Sequence, residues 1–514
     1  WLTELPEIQA NTVMVEGIPE EMQSDELLKA HFEKIWGTRK EVQSDAFFPI
    51  FDETKFKISH VKSATVVKIC PELSAMCRQR AILKLAIERS AKEESEGKTP
   101  KRSVQEIASE ISAITEEIRV ERKKVLSEAV TPGKVSSDTG FVTFFERYDA
   151  EITASSQYSH DVTQWVVSQP PPPQAIVWEN LEQGEAGKEV KILIGYALVA
   201  CLYMCYLPLV IRISQIANEI NLGPLQPVWG AIAPTLGLQI MVAFLPTFLR
   251  LIFHQCFPLP STAEEQAMLQ NWYFVFQVVF VILVTAIGPS LWDVMVAIAT
   301  QPFSVFEILG DTMPDATHFY MNFLVLQWAA HFSNLTRSVQ LFKYLFFVRL
   351  YEPAQAKDMA EPEDQDYYGI GSRSARFTIN LCIGIVFGTM SPPINLWTFI
   401  NFAICRLIYG YLIPFAETRK PDLGGVIWVH QLKHVFAGNM IYCLVMAGVL
   451  FGRTSSKGPG IIALTSLLYV TWSYNRFCTR FSWERLTIEE VVSKTRTSKV
   501  VNEGTYEQPE FVDS

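Results

Sequence analysis

The chain has 514 residues, 49% of them hydrophobic and only 19% charged, with a formal net charge of −10, where an average soluble domain carries about 25% charged residues. Such a chain lacks the basic surface that phosphate neutralisation requires, which argues against a nucleic-acid partner. The nine cysteines, an odd number scattered through mostly apolar segments, form neither a disulfide framework nor a zinc spacing. No nucleotide loop, catalytic Ser/His/Asp arrangement or metal-ligand cluster points to an enzyme, a metal site or a cofactor.

Charge is concentrated in residues 1–160 and nearly vanishes in long blocks from Ile192 onward, so the chain reads as a soluble domain followed by a membrane domain. Trp1 to Asn11 has neither the basic start nor the apolar centre of a signal peptide, and with Trp in first place the chain reads as a fragment. Thr12 to Ile18 alternates as a strand, Ser24 to Trp36 reads as a capped amphipathic helix, and Val61 to Ile69 is a second strand. Glu72 to Glu94 and Val104 to Ala129 suit a helical hairpin, Gly140 to Phe145 a further strand, and Ala150 to Gln157 the start of a last helix. This order resembles an RNA-recognition-motif (RRM) fold within residues 1–170. The stacking chemistry of RNA readers is absent, since Met14 and Thr139 stand where rings are expected and Ser137 where a cation is expected. The domain is therefore expected to be a scaffold. Pro170 to Pro173 opens a stiff linker over 171–189, with Trp178 placed as an interfacial aromatic ahead of the first apolar run.

Ile192 to Ile211 and Val228 to Leu249 hold too few polar groups to be anything but spans. Trp272 to Ala299 and Phe319 to Leu335 follow, the latter running on as an amphipathic helix through Lys343 to Arg349. Phe377 to Cys405 is longer than one span needs. Pro392 and Pro393 in its middle indicate a hairpin of two spans ending near Ile413, the alternative being one kinked helix. With Val435 to Phe451 and Ile461 to Tyr474, about eight spans fill 190–480, before a tail over 481–514. If the first domain is cytosolic, inner loops receive most of the Lys and Arg, and outer loops only Arg212, Arg453 and Lys457. By the positive-inside rule, domain and tail are both cytosolic.

Three groups of residues are singled out. On the fourth span, Gln327, His331, Asn334 and Ser338 follow one another at four, three and four residues, one stripe at 100° per residue. In lipid such a stripe either lines a water-filled path or hydrogen-bonds to neighbouring helices. Asn271 to Thr336 contains no Lys or Arg but carries Asp293, Glu307, Asp311 and Asp315, acids that would concentrate cations at an outer mouth. Pro392, Pro393 and Lys343 are the candidate hinge or gating residues.

Ile176-Val177-Trp178-Glu179-Asn180-Leu181, then Phe244-Leu245-Pro246-Thr247, Ser261 with Glu264-Glu265, and Asn271-Trp272-Tyr273-Phe274 occur in a recognisable order. Pro314, Ala316, Phe319, Tyr320 and Phe323, and Tyr368-Gly369 before Pro392-Pro393-Ile394, continue it. Following an RRM-like domain, they resemble the OSCA family of hyperosmolality-gated, calcium-permeable channels, which is related to the anoctamins. The resemblance implies an α-helical polytopic membrane protein with an α+β RRM-like cytosolic domain and eleven spans, three of which would precede this sequence. It also implies a pore lined by the first five spans seen here, opening under tension or osmotic stress in the plasma membrane. Gln277 stands where the family usually has Asn, and Phe387 and Gly388 where Tyr is common. Expected partners are membrane lipids, permeating cations including calcium, and a second copy through the cytosolic domain. A lipid scramblase of related architecture, or a non-conducting transporter or scaffold, is the alternative. Acids between Phe319 and Phe415 are confined to Glu352–Asp366, so the intramembrane calcium site of anoctamin type is not expected.

Overall fold

The computed structural model describes residues 5–40, 57–95, 103–182, 185–219, 226–284, 300, 314, 316–351, 353–360, 369–416, 425–480 and 505–512. Two compact units emerge: residues Trp1–Ile192 with Pro258–Thr262 and Leu486–Ser514, and residues Leu193–Phe257 with Ala263–Arg485.

In the first unit the alternating strand β1 (Thr12–Glu16) leads to helix α1 (Asp25–Trp36). Ser24 starts α1 by accepting a hydrogen bond from the Leu27 amide at 3.3 Å, and Gly37 at φ 70° ends it. A small hairpin, β2 (Thr38–Lys40) with β3 (Lys57–Ser59), precedes β4 (Val61–Lys68). Helices α2 (Pro71–Ser95) and α3 (Val104–Glu128) form the hairpin the sequence indicates, followed by β5 (Ser136–Phe144), α4 (Arg147–Ser155) and β6 (Val166–Ser168). The four-stranded sheet runs β4-β5-β1-β6 with every neighbouring pair antiparallel. β1 and β4, joined through α1, thus lie parallel with β5 between them.

Strand alternation divides the apolar residues between the two faces of the sheet. Val13, Val15, Val66, Val142 and Phe144 pack with Leu28 and Phe32 of α1 and Ala150 of α4. Met14, Val67 and Phe141 point the other way and pack with Ile176, Leu181 and Tyr506. Both faces are therefore buried, one by helices and one by the linker and tail. Ser137 and Thr139 are spent inside: the Ser137 hydroxyl donates to the Leu181 carbonyl at 2.5 Å, and Thr139 is fully buried. Trp178 packs edge-on against Phe141, with 5.7 Å between ring centroids, so its indole also serves the sheet.

After the prolines the chain clasps a distant segment. Ile176 bridges to Ser261, the Val177 amide donates to the Pro260 carbonyl at 3.0 Å, and Asn180 Nδ2 donates to the Leu259 carbonyl at 2.8 Å. That is why Pro258–Thr262, which connects two helices of the second unit, folds with the first.

The second unit is helical: α5 (Glu185–Glu219), α6 (Gln226–Cys256), α7 (Thr262–Gln277) with a π-helical extension Val278–Val284, α8 (Thr317–Leu335), α9 (Ser338–Phe347), α10 (Pro353–Ala360), α11 (Ile370–Phe387), α12 (Pro393–Tyr411), α13 (Val426–Arg453) and α14 (Gly458–Arg480). Lys188–Tyr206, Pro393–Ala416 and Val426–Arg453 are each long and apolar enough to cross a membrane, and Met241–Cys256 is a shorter apolar helix. Leu193, Met204, Phe399, Leu407 and Trp428 lie exposed on these helices, an outer surface suited to lipid. Phe377 to Cys405 is two helices: Pro392 caps α12 and Pro393 occupies its first turn, where a missing amide costs nothing. Gly384 faces Thr398 and Gly388 faces Asn395, each so closely that a Cβ would collide, so these glycines let α11 and α12 pack tightly. One expectation fails. The fourth span does not run on as a single helix, because Arg337 takes a left-handed conformation at φ 51° and divides α8 from α9.

Candidate functional site

Polar side chains gather inside the second unit where α8 packs along α12. Gln327 and His331 are buried on α8 at 7% and 5% exposure, with Asn334 one turn further. Tyr409 of α12 meets the last two: Asn334 Nδ2 donates to its hydroxyl at 2.9 Å, and that hydroxyl lies 3.0 Å from His331 Nδ1. The other imidazole nitrogen, Nε2, lies 3.2 Å from Cys405 Sγ. The arrangement that satisfies every group has Tyr409 accepting from Asn334 and donating to Nδ1, with the ring proton on Nε2, a neutral imidazole. The Arg373 guanidinium of α11 covers the Tyr409 ring at 5.1 Å, and Phe377 packs against it edge-on.

Beside this cluster lie buried side-chain atoms with no hydrogen-bond partner, although Asn401 Nδ2 reaches Cys405 Sγ at 4.0 Å. Asn380 of α11 and Asn401 of α12 are fully buried. Both polar atoms of Asn380, Oδ1 of Asn401, Oγ1 of Thr398 and Oε1 of Gln277 make no hydrogen bond. Each such group in an apolar bundle costs on the order of 1–3 kcal/mol, so each calls for an explanation.

The motif residues on α7 each have a structural task. Asn271 Oδ1 lies 3.0 Å from His434 Nε2, and Phe274 stacks on the same imidazole at 4.0 Å. The Trp272 carbonyl accepts from the Tyr203 hydroxyl at 2.7 Å, and Tyr273 donates to the Val242 carbonyl at 2.9 Å. Tyr320 of α8 reaches the carbonyls of Val281 and Ile282 in the π-helical extension, at 3.0 and 2.7 Å, where the wider turn leaves acceptors exposed. Phe387, the departure noted above, stacks on Tyr320 at 4.0 Å.

The structure brings Gln327, His331 and Asn334 onto one buried face and leaves Ser338 off it. Beyond the break at Arg337, Ser338 opens α9 and its hydroxyl pairs with Ser333. Lys343 is half-buried on α9. Pro392 and Pro393 sit at the turn between α11 and α12. Asp293, Glu307, Asp311 and Asp315 lie outside the described residues. Sequence reasoning missed Tyr409, Cys405 and Arg373. Asn380 and Asn401 carried a readable signal as isolated amides in apolar runs.

A family profile described as "Calcium-dependent channel, 7TM region, putative phosphate" matches residues 191–450. A second, described as "Cytosolic domain of 10TM putative phosphate transporter", matches residues 10–180. Among curated proteins, Hyperosmolality-gated Ca2+ permeable channel 1.8 of Arabidopsis thaliana is 22% identical over 420 residues, covering 77% of this chain and 50% of the relative. The chain belongs to the OSCA family. The CSC1-like protein ERD4 of Brassica juncea is 24% identical over 436 residues, covering 80% of this chain and 59% of the relative. Uncharacterized protein RSN1 of Saccharomyces cerevisiae is 21% identical over 495 residues, covering 90% and 51%. The chain thus spans about half the length of these OSCA-family relatives. Membership makes it a multi-pass membrane protein of a calcium-permeable channel family, with a cytosolic domain ahead of its membrane helices.

Proposed function

We propose that this chain forms the conducting part of a calcium-permeable cation channel of the plasma membrane, opened by membrane tension. In this reading an RRM-like cytosolic domain precedes about eight spans, the first five lining the pore. The observation that carries it is the buried polar seam of α8, α11 and α12, with Gln327, His331 and Asn334 beside the unpartnered amide of Asn380 and the unpartnered Oδ1 of Asn401. Polar groups are expensive in an apolar bundle unless they meet water or ions in another state. Here Tyr409 holds the seam closed, and conduction requires that α8 part from α12. Asp293, Glu307, Asp311 and Asp315 are the acids of the outer mouth, drawing cations toward it. Lys343, Pro392 and Pro393 are the hinge positions, at a helix following a break and at a helix-to-helix turn.

A second reading is favoured by the same hydrogen bonds: His331 and Asn334 are satisfied by Tyr409, as static helix-to-helix ties would be. Cysteine placed singly at Gln327, His331 or Asn334 separates the two. In liposome patches under suction, a water-soluble thiol reagent is expected to react at these positions and change the current, while Val325→Cys and Phe332→Cys stay silent. Protection of all three in the conducting state would assign the seam to static packing. Lipid translocation without current in the same liposomes would make the protein a scramblase. Because acids between Phe319 and Phe415 occur only in Glu352–Asp366, currents are expected to persist when cytosolic calcium is chelated. A strict micromolar requirement would place a calcium site elsewhere in the protein.

A further inference from the structure

One face of the sheet is closed by a stretch several hundred residues further along the chain, Tyr506 to Phe511. The ring of Tyr506 stacks on Phe141, 5.0 Å between centroids, and its hydroxyl donates to the Pro171 carbonyl at 2.8 Å. Gln508 reproduces with its side-chain amide what a neighbouring strand would offer to the end of β4. Its Nε2 donates to the Lys68 carbonyl and its Oε1 accepts from the Lys68 amide, both at 2.8 Å. Glu510 accepts from the Ser74 hydroxyl at 3.1 Å, and the Phe511 ring lies 5.7 Å from the Lys68 ammonium. Pro509 has no amide hydrogen to continue a ladder, and among the described residues the segment adds no strand to the sheet. Its hold is a set of side chains in the order Tyr-x-Gln-x-Glu-Phe.

We propose that this sheet face is a peptide-recognition groove whose ligand is the chain's own C-terminal segment, read through Tyr506, Gln508 and Phe511 and held reversibly. Reversibility follows from what the docked state leaves unbalanced. Glu510 Oε2 is buried without a partner, and Glu510 lies near Glu182, whose carboxyl is pushed up by burial and then by the charges of Glu510 and Glu179. A cavity of about 230 Å³ stays open beside the segment, between Asp25, Thr65, Leu126 and Trp178.

Cys70 reports on occupancy. It is buried at 3% exposure, Gln508 Nε2 lies 3.9 Å from its sulfur, and its thiol is pushed up to about 12 by burial, then by Glu182 and Glu510. The experiment uses the full chain in nanodiscs, with Cys70 as its only cysteine and a protease site inserted within 485–504, cut after folding. The severed tail is expected to stay bound and to exchange with excess synthetic peptide Thr505–Ser514. Alkylation of Cys70 should rise at least tenfold when the tail is washed out and fall again when peptide is added. A Gln508→Ala peptide should protect at least tenfold less well. A tail that never exchanges while the chain stays folded overturns the proposal, as does washout that leaves the Cys70 rate unchanged, or equal protection by the Gln508→Ala peptide. Retention of the cut tail by a differently tagged copy would make the ligand a second chain and overturn the intramolecular assignment.

Discussion

Gly17→Ala is expected to destabilise the cytosolic unit by about 3 kcal/mol or more, and by more than Gly37→Ala does. Both glycines have positive φ, +68° and +70°, so each substitution carries a backbone cost on the order of 1–3 kcal/mol. They differ in surroundings. A Cβ on Gly17 would strike the carbonyl oxygen of Thr163, a backbone atom fixed where the chain turns into β6, while nothing lies within 4 Å of one on Gly37. Thermal unfolding of the two variants, followed by limited proteolysis of the first domain, isolates the collision from the shared term. Equal melting temperatures would show that the loop before β6 yields at no cost.

Tyr409→Phe is expected to lower the tension at which the channel opens. The substitution keeps the ring under Arg373 and removes only the hydroxyl that Asn334 and His331 share. Two hydrogen bonds of about 0.5–1.5 kcal/mol each would be lost from the closed arrangement. A bias of about 1–3 kcal/mol corresponds to a rise of roughly fivefold to a hundredfold in resting open probability. Patch recordings at graded suction measure it. If the seam is static packing, the same variant lowers the melting temperature and leaves the threshold where it was.

What was legible in the sequence followed physical strength. Val13, Val15, Val66, Val142 and Phe144 announce strands because one face must be dry, and Ser24 and Gly37 mark the ends of α1 because its terminal amides and carbonyls need partners. The polar run Gln327, His331, Asn334 stood out because apolar helices rarely tolerate such groups. Its continuation to Ser338 was misread, since Arg337 is neither Gly nor Pro and carries no mark of the left-handed conformation it adopts. β6 has only three residues, Val166–Ser168, too few for any alternation to show. Tyr409 and Cys405 were invisible for another reason: an aromatic and a thiol in an apolar run look like packing, and only the helix across from them makes them polar partners. The docked tail belongs to the same class, because Tyr506, Gln508 and Phe511 have no periodicity and gain meaning from Phe141 and Lys68.

The clasp on Pro258–Thr262 has a mechanical consequence. The backbone passes between the two compact units after Ile192, after Phe257, after Thr262 and after Arg485. A segment as short as Pro258–Thr262 reaches at most roughly 18 Å, so the ends of α6 and α7 are leashed to one another. Through Asn180 and Val177 they are also leashed to the prolines ahead of α5. Lateral pull on the start of α7 or the end of α6 is thereby delivered to the hydrogen bonds that Val177 and Asn180 make to Pro258–Thr262.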